Sequence, residues 1–186
     1  MLKVNFGCGE NKLHGWKNHD AEIDITNALP YEDKAVSFIL AEHVVEHVRY
    51  REAVVFMQEC HRILVPGGVL RIIMPSVERI MKYADNSYIK FVSRWSQFPD
   101  LRGAMGAIMW EHGHKVAWTE SLMRATLFYA GFDNIKDAPA RHSSHPELHD
   151  VYGHWKVIGQ HNNEIESVVL EATKQQHKPE GVQANG

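Results

Sequence analysis

The chain has 186 residues, of which 44% are hydrophobic and 23% charged, and 20 Lys and Arg against 23 Asp and Glu leave a net charge of −3. That describes one globular domain with enough residues for a real core, and it lacks the basic footprint of a general nucleic-acid binder. The longest apolar stretch, near Ala53–Met57, is far below the ~18 residues of a membrane span. Two cysteines, Cys8 and Cys60, are too few for a disulfide framework. With no basic-then-apolar leader ahead of the first strand-like run, they point to a reducing, cytoplasmic setting.

In chain order, strand-like runs are Leu2–Phe6, Val36–Ala41, Val69–Met74, a weaker Asn134–Asp137, and Glu166–Thr173. Between the second and third lies a helix over Arg51–Leu64, where Ala53, Met57, Cys60 and Leu64 recur at spacings of four, three and four. Pro66-Gly67-Gly68 is expected to stop this helix and turn into the next strand. Val77–Tyr83 reads as a short helix, followed by an aromatic stretch without clean period that holds Tyr88, Phe91, Trp95, Phe98 and Trp110. A second long helix is expected to begin at an N-cap Thr119 with Glu120 in its first turn. Its apolar face would be Leu122, Ala125 and Tyr129, and its end Gly131. Strand, turn, helix, turn, strand is the βαβ pattern, so the fold class is α/β with a mainly parallel sheet. Two long connections, 77–116 and the histidine-rich 138–163, are expected to gather over one end of that sheet. The polar stretch 175–186 reads as a disordered tail.

The sharpest local signal is Val4-Asn5-Phe6-Gly7-Cys8-Gly9, a buried strand running into Gly-x-Gly. Such a turn lets the backbone approach a ligand closely and offer N–H groups to an anion. At the carboxyl edge of a first strand it indicates a nucleotide site. A nicotinamide dinucleotide would need a third glycine where Lys12 stands, and Asp20 comes too early for a full helix between the first two strands.

A set of ordered motifs favours another nucleotide. These are Asn5-Phe6-Gly7-Cys8-Gly9, Gly15-Trp16-Lys17-Asn18-His19-Asp20, Asp24-Ile25, Leu29-Pro30-Tyr31-Glu32-Asp33, and Glu42-His43-Val44-Val45-Glu46-His47. After them come Glu59 to Gly68, Leu70 to Pro75, His114-Lys115, Trp118-Thr119 and Ala130-Gly131-Phe132. Over about residues 2–173 the chain resembles class I S-adenosylmethionine-dependent methyltransferases, in particular the small bacterial and phage group of the type 11 pattern. The resemblance implies a Rossmann-like three-layer sandwich. Its sheet would have seven mainly parallel strands with the last antiparallel, and its first helices would be shortened. It also implies one domain over 1–174, in which 77–116 is a lid on the acceptor side. The implied cofactor is S-adenosylmethionine, with S-adenosylhomocysteine as product. Its implied ligands are Phe6, Gly7, Cys8 and Gly9 at the methionine end, Asp20 on the ribose hydroxyls, Asp24 and Ile25 at the adenine, and Ala41, Glu42 and His43 after the fourth strand. Ser76 stands where many relatives carry Asp after a proline.

Methyl transfer from a sulfonium is an in-line displacement, so alignment supplies much of the rate. A base is needed when the acceptor is a hydroxyl. With no Asn-Pro-Pro-Tyr or Asp-Pro-Pro-Tyr motif, an adenine or amide nitrogen is not indicated as acceptor. The candidate bases are histidines: His114 first, in the His-Lys…Trp-Thr element, with His43 and His112 behind it. His142, His145, His149 and His154 have spacings that one helix face could turn into a metal site. Pro146 and Ser143-Ser144 interrupt such a helix, so no metal is expected and these side chains read as a polar wall of the acceptor pocket. The expected partner is a small-molecule or sugar-like acceptor methylated at oxygen or nitrogen, with no membrane and no nucleic acid. The competing reading is a nucleotide-binding module of the same fold that works through a protein partner without turnover.

Overall fold

A computed structural model describes residues 1–96 and 98–175; the expected tail beyond Gln175 lies outside them. Six strands form one sheet: β1 (Lys3–Phe6), β2 (Lys17–His19), β3 (Val36–Glu42), β4 (Leu64–Pro75), β5 (Asn134–Asp137) and β6 (Ser167–Thr173). Their spatial order is β2-β1-β3-β4-β6-β5. The first four are mutually parallel, and β6 runs antiparallel to both β4 and β5. The sheet thus has the expected antiparallel last strand but six strands among the described residues instead of seven. The register sets Phe6 opposite both His19 and Ala41, and Ala41 opposite Ile72. The chain therefore leaves β1, β2, β3 and β4 at one common edge.

The two faces of the sheet are covered differently. On one face α1 (Tyr50–Ile63) and α5 (Glu120–Tyr129) pack on Val4, Phe6, Ile39, Ala41, Leu70, Ile72 and Met74. The buried stripe of α1 is Ala53, Phe56, Met57, Cys60 and Ile63, the expected face. The helix stops at Ile63, however, and Leu64 already pairs with Val36, so Pro66-Gly67-Gly68 forms an irregularity inside β4 instead of a helix stop. Gly67 meets it with a φ of +81°. In α5 the Thr119 Oγ1 accepts from the Leu122 N–H at 3.1 Å, as the capping residue should. Its inward face is Met123, Thr126, Leu127 and Ala130, one position on from the expected stripe, and Tyr129 lies exposed.

Among the described residues the opposite face carries no long helix. There Phe38, Leu40, Val69, Ile73 and Val169 pack against Leu148, Val151 and Tyr152 and the flanking Leu13, Trp16, Ala140 and Trp155. The first part of the histidine-rich segment, 138–154, is thus the third layer of the fold, mostly irregular chain with one short turn at Pro146–Leu148. This corrects the expectation that the whole segment gathers over one end of the sheet: only residues about 153–158 reach that edge. Arg71 fastens it. Fully buried on β4, its guanidinium donates to Glu171 at 2.5 Å and to the carbonyls of Pro139, Ala140 and His142.

No helix links β1 to β2 or β2 to β3. A side-chain amide network substitutes for the first. Asn5, buried on β1, donates to the Asn11 carbonyl and to Asn18 Oδ1. Asn18 in turn accepts from the Leu13 N–H and donates to the carbonyls of Leu13 and Trp16. Asn18 both accepts and donates, and Asn5 donates twice, which lets a ten-residue turn satisfy much of its own backbone.

The connection 77–116 is more regular than its sequence suggests. It holds α2 (Val77–Tyr83), α3 (Asn86–Val92) and α4 (Leu101–Gly106), capped by the side chains of Ser76, Asp85 and Asp100. Ile80, Tyr88, Val92, Ala104 and Ile108 form a satellite core with Ile165. Ile165 belongs to α7 (Gln160–Glu166), which follows the single turn α6 (Trp155–Ile158). The aromatic residues hide helix periods here because some face this small core and others a cavity.

Candidate active site

The chain ends of β1 and β3 border a cleft of about 400 Å³, lined by Gly7, Cys8, Glu10, Asn11, Glu42, His43, Gly153, His154, Lys156 and Val157. Gly7 has a φ of +67°, and a Cβ on it would lie 2.2 Å from Val44 Cγ2. Only glycine fits there, because both the left-handed backbone and the packed Val44 exclude a side chain. The Cys8 N–H donates to the His19 carbonyl at 2.9 Å, fixing the turn beside the end of β2. Burial and the neighbouring Asp20 carboxylate push the Cys8 thiol up, so it is an inert wall, not a nucleophile.

Of the ten expected cofactor ligands, Gly7, Cys8, Glu42 and His43 line this cleft. Asp20 follows β2 at the same edge, with its side chain exposed. Phe6 and Ala41 are buried in the core, where only their backbone can face a ligand. Asp24 is turned inward on its own loop. Its carboxylate accepts from the Thr26 hydroxyl, the Thr26 N–H and the Asn27 amide, and the two Thr26 bonds hold its pKa below the usual carboxylate value. Ile25 is packed into the main core.

Glu42 does something the sequence does not reveal. Its carboxylate accepts from Asn11 Nδ2 at 3.1 Å and from the backbone N–H groups of Gly153 and His154 at 2.9 and 2.5 Å. It thereby straps the 151–154 loop across the cleft. Glu42→Ala should release the strap, and amide exchange at Gly153 and His154 is expected to accelerate while that of β4 stays unchanged. Unaltered protection of those two amides would show that the strap is held by something else.

His43 and His154 form the wall between the cleft and a second cavity. Their rings lie 3.8 Å apart between centroids. His43 takes a φ of +50°, a conformation that L side chains rarely adopt. Burial, aided by the neighbouring His154, pulls its pKa down to about 3, so it stays neutral. The second cavity measures about 390 Å³. It is lined by apolar groups including Pro75, Phe91, Trp95 and Ile108, and by His43, His47, His112, His114 and His154 together with Glu46 and Glu166. Both cavities fall in the size range of small-molecule sites.

The wall of this chamber is assembled from distant segments. Val45–His47 is a short turn directly after β3. The Lys115 N–H donates to the Glu46 carbonyl at 2.7 Å, which draws the 112–115 loop onto that turn. The rings of His47 and His114 then meet at 4.8 Å, and those of His114 and His112 at 5.9 Å. His114 Nδ1 bonds the Ile108 carbonyl, and burial lowers its pKa. On the opposite side Tyr88 donates to Glu166 at 2.8 Å. All three expected catalytic histidines therefore share one chamber. Glu46 and Glu166 were missed. Both are buried carboxylates, a property no local pattern announces. His142, His145 and His149 lie elsewhere, His145 against Phe38 and the other two against each other, so of that group only His154 reaches the chamber.

Residues 5–72, a little over a third of the chain, match the family described as a methyltransferase domain. Among solved structures, a SAM-dependent methyltransferase from Archaeoglobus fulgidus superposes with a TM-score of 0.54 at 14% identity, covering 93% of this chain and 86% of the other. A SAM-dependent methyltransferase from Thermotoga maritima, described as a possible histamine N-methyltransferase, gives 0.51 at 16% identity over 94% and 82%. The Haloferax volcanii protein solved in complex with the methyltransferase activator Trm112 gives 0.54 at 12% identity over 96% and 83%. No curated protein sequence matches the chain.

Proposed function

We propose that the chain, whose residues 5–72 match a methyltransferase domain and whose fold is that of S-adenosylmethionine-dependent methyltransferases, moves a methyl group from S-adenosylmethionine to an oxygen or nitrogen of a small acceptor. The observation that carries this reading is the pair of adjoining cavities, which share His43, His154 and Val157 as a common wall. A donor whose methionine end lies against Gly7–Gly9 would point its sulfonium across that wall into the imidazole-lined chamber. The residues present fit such a cofactor: Gly7, where Val44 leaves no room for a side chain, and the exposed Asp20 carboxylate, able to accept two hydrogen bonds from a vicinal diol.

In the reaction the acceptor lone pair forms a bond to the methyl carbon. S-adenosylmethionine, when bound, would supply the activated methyl group, its carbon–sulfur bond breaking with the electron pair going to sulfur to give S-adenosylhomocysteine, and the acceptor proton would need a receiver. His114 is the first choice to receive that proton. It faces the chamber, its Nδ1 is occupied by the Ile108 carbonyl, and its lowered pKa keeps it unprotonated at neutral pH. His43, with a pKa near 3, is too weak a base and is better suited to walling the donor from the acceptor. His112, more exposed, is a second proton route. The residues 77–116 act as the acceptor-side lid, since Phe91, Trp95, Ile108 and His112 come from them.

Calorimetry with S-adenosylhomocysteine and NAD tests the donor site. S-adenosylhomocysteine is expected to bind and NAD to fail, and Asp20→Ala should weaken the first by about 1–3 kcal/mol. Tight NAD binding with no response to S-adenosylhomocysteine would end this reading. A protein that binds S-adenosylhomocysteine but methylates nothing across an acceptor screen with labelled donor would be the binding module instead.

A further inference from the structure

We propose that Glu46, His47 and His114 bind a divalent transition-metal ion of the Zn²⁺ type at the wall of the acceptor chamber. One nitrogen or oxygen from each comes within 4.8 Å of the others, the one such cluster among the described residues. Ligands 2.0–2.1 Å from a tetrahedral ion stand roughly 3.4 Å apart. The cluster must therefore tighten by up to about 1.4 Å, which the exposed His47 side chain can supply by rotation. Two histidines and one glutamate are a set suited to an open zinc site, with the fourth position left for a ligand. Here that position opens on the chamber.

A second observation points the same way. Glu46 is wholly buried, and neither carboxylate oxygen has a hydrogen-bond partner; His43 Nδ1 stands 3.2 Å from Oε1 but is not aligned to donate. A buried carboxylate without partners is costly, and such groups are paired or coordinate metals. The third observation is the Ile108 carbonyl on His114 Nδ1. Metal-bound histidines donate their other ring N–H to such a carbonyl, which fixes the tautomer and aims Nε2 at the ion. Lastly, the Lys115-to-Glu46 backbone bond locks the two segments that carry the three ligands, so the site is built before any ion arrives.

On the methyl-transfer reading, an ion here would bind the acceptor oxygen and lower its pKa, doing as a Lewis acid what a base would otherwise do. The metal site itself does not depend on that reading. The test is calorimetric titration of the chelator-stripped full chain with Zn²⁺, and with Co²⁺ followed by visible absorption. One ion per chain is expected, with a Co²⁺ spectrum typical of nitrogen and oxygen ligands. Affinity should fall roughly 100-fold or more in Glu46→Gln, His47→Ala and His114→Ala, and remain as in wild type in His142→Ala. The exposed His47 makes His47→Ala the variant that leaves the fold intact should the buried Glu46 substitution unfold it. Absence of a stoichiometric site, or affinity unchanged in His47→Ala, overturns the proposal. S-adenosylhomocysteine titration on the same metal-free sample separates the two readings. Cofactor binding without metal binding sinks the metal site alone, and metal binding without cofactor binding sinks methyl transfer alone.

Discussion

Arg71→Met is expected to destabilise the protein by about 3–5 kcal/mol, the cost of leaving a buried charge without its partner. Arg71 is fully buried and its side chain holds Glu171 and three carbonyls of the 139–142 segment. Methionine keeps the volume of the long stem and adds no donor. Glu171 is then left as a largely buried carboxylate, and three carbonyls lose their hydrogen bonds. Because those carbonyls belong to the layer that covers Phe38, Leu40 and Ile73, this layer should detach before the helical face does. Chemical denaturation gives the magnitude, and amide exchange at Ala138 and Leu148 relative to α1 gives the order. A further Glu171→Leu change should restore a good part of the loss, since a well-packed apolar pair can replace a buried ion pair. A double variant as unstable as Arg71→Met would assign the effect to the carbonyls instead. A single variant within about 1 kcal/mol of wild type would remove Arg71 as the fastener.

The helical face was legible in the sequence and the other face was not. Ala53, Met57 and Cys60 repeat at helical spacing because they meet one continuous apolar surface, and periodicity registers that directly. Leu148, Val151 and Tyr152 also meet an apolar surface, but from irregular chain, which has no period to detect. Their histidine neighbours drew attention to a metal or pocket role that only His154 has a place to serve. The glycine turn was readable because Gly7 answers a local demand, a positive φ with no room for a Cβ. Glu42 lines the cleft as expected, but its second role as a strap was not legible, because Gly153 and His154 lie more than a hundred residues away. The same distance separates the fragments of the chamber. Glu46-His47 and His112-Gly113-His114 are each unremarkable pairs until the Lys115-to-Glu46 bond joins them.

The largest effect on activity is expected from His114→Ala, with turnover lower by roughly 10²–10⁴ once an acceptor is known, the usual range for a positioned proton acceptor. Affinity for S-adenosylhomocysteine should barely change, because His114 lines the chamber and not the cofactor cleft. Two physical routes lead to this loss. In one, His114 takes the acceptor proton itself. In the other, it holds the cation that makes the acceptor oxygen acidic. Glu46→Gln separates them, since it leaves the His114 ring and its bond to Ile108 in place. If His114 is only a base, Glu46→Gln should retain most of the turnover, because an uncharged amide still fills the buried site. If the cation is needed, Glu46→Gln should lose about as much as His114→Ala, and added Zn²⁺ should recover activity in stripped wild type but in neither variant. His114→Ala with full turnover would remove the residue from both routes and leave catalysis to alignment of donor and acceptor. Loss of cofactor binding in His114→Ala would mean that the two cavities are one site, with the sulfonium lying deeper in the chamber than their shared histidine wall implies.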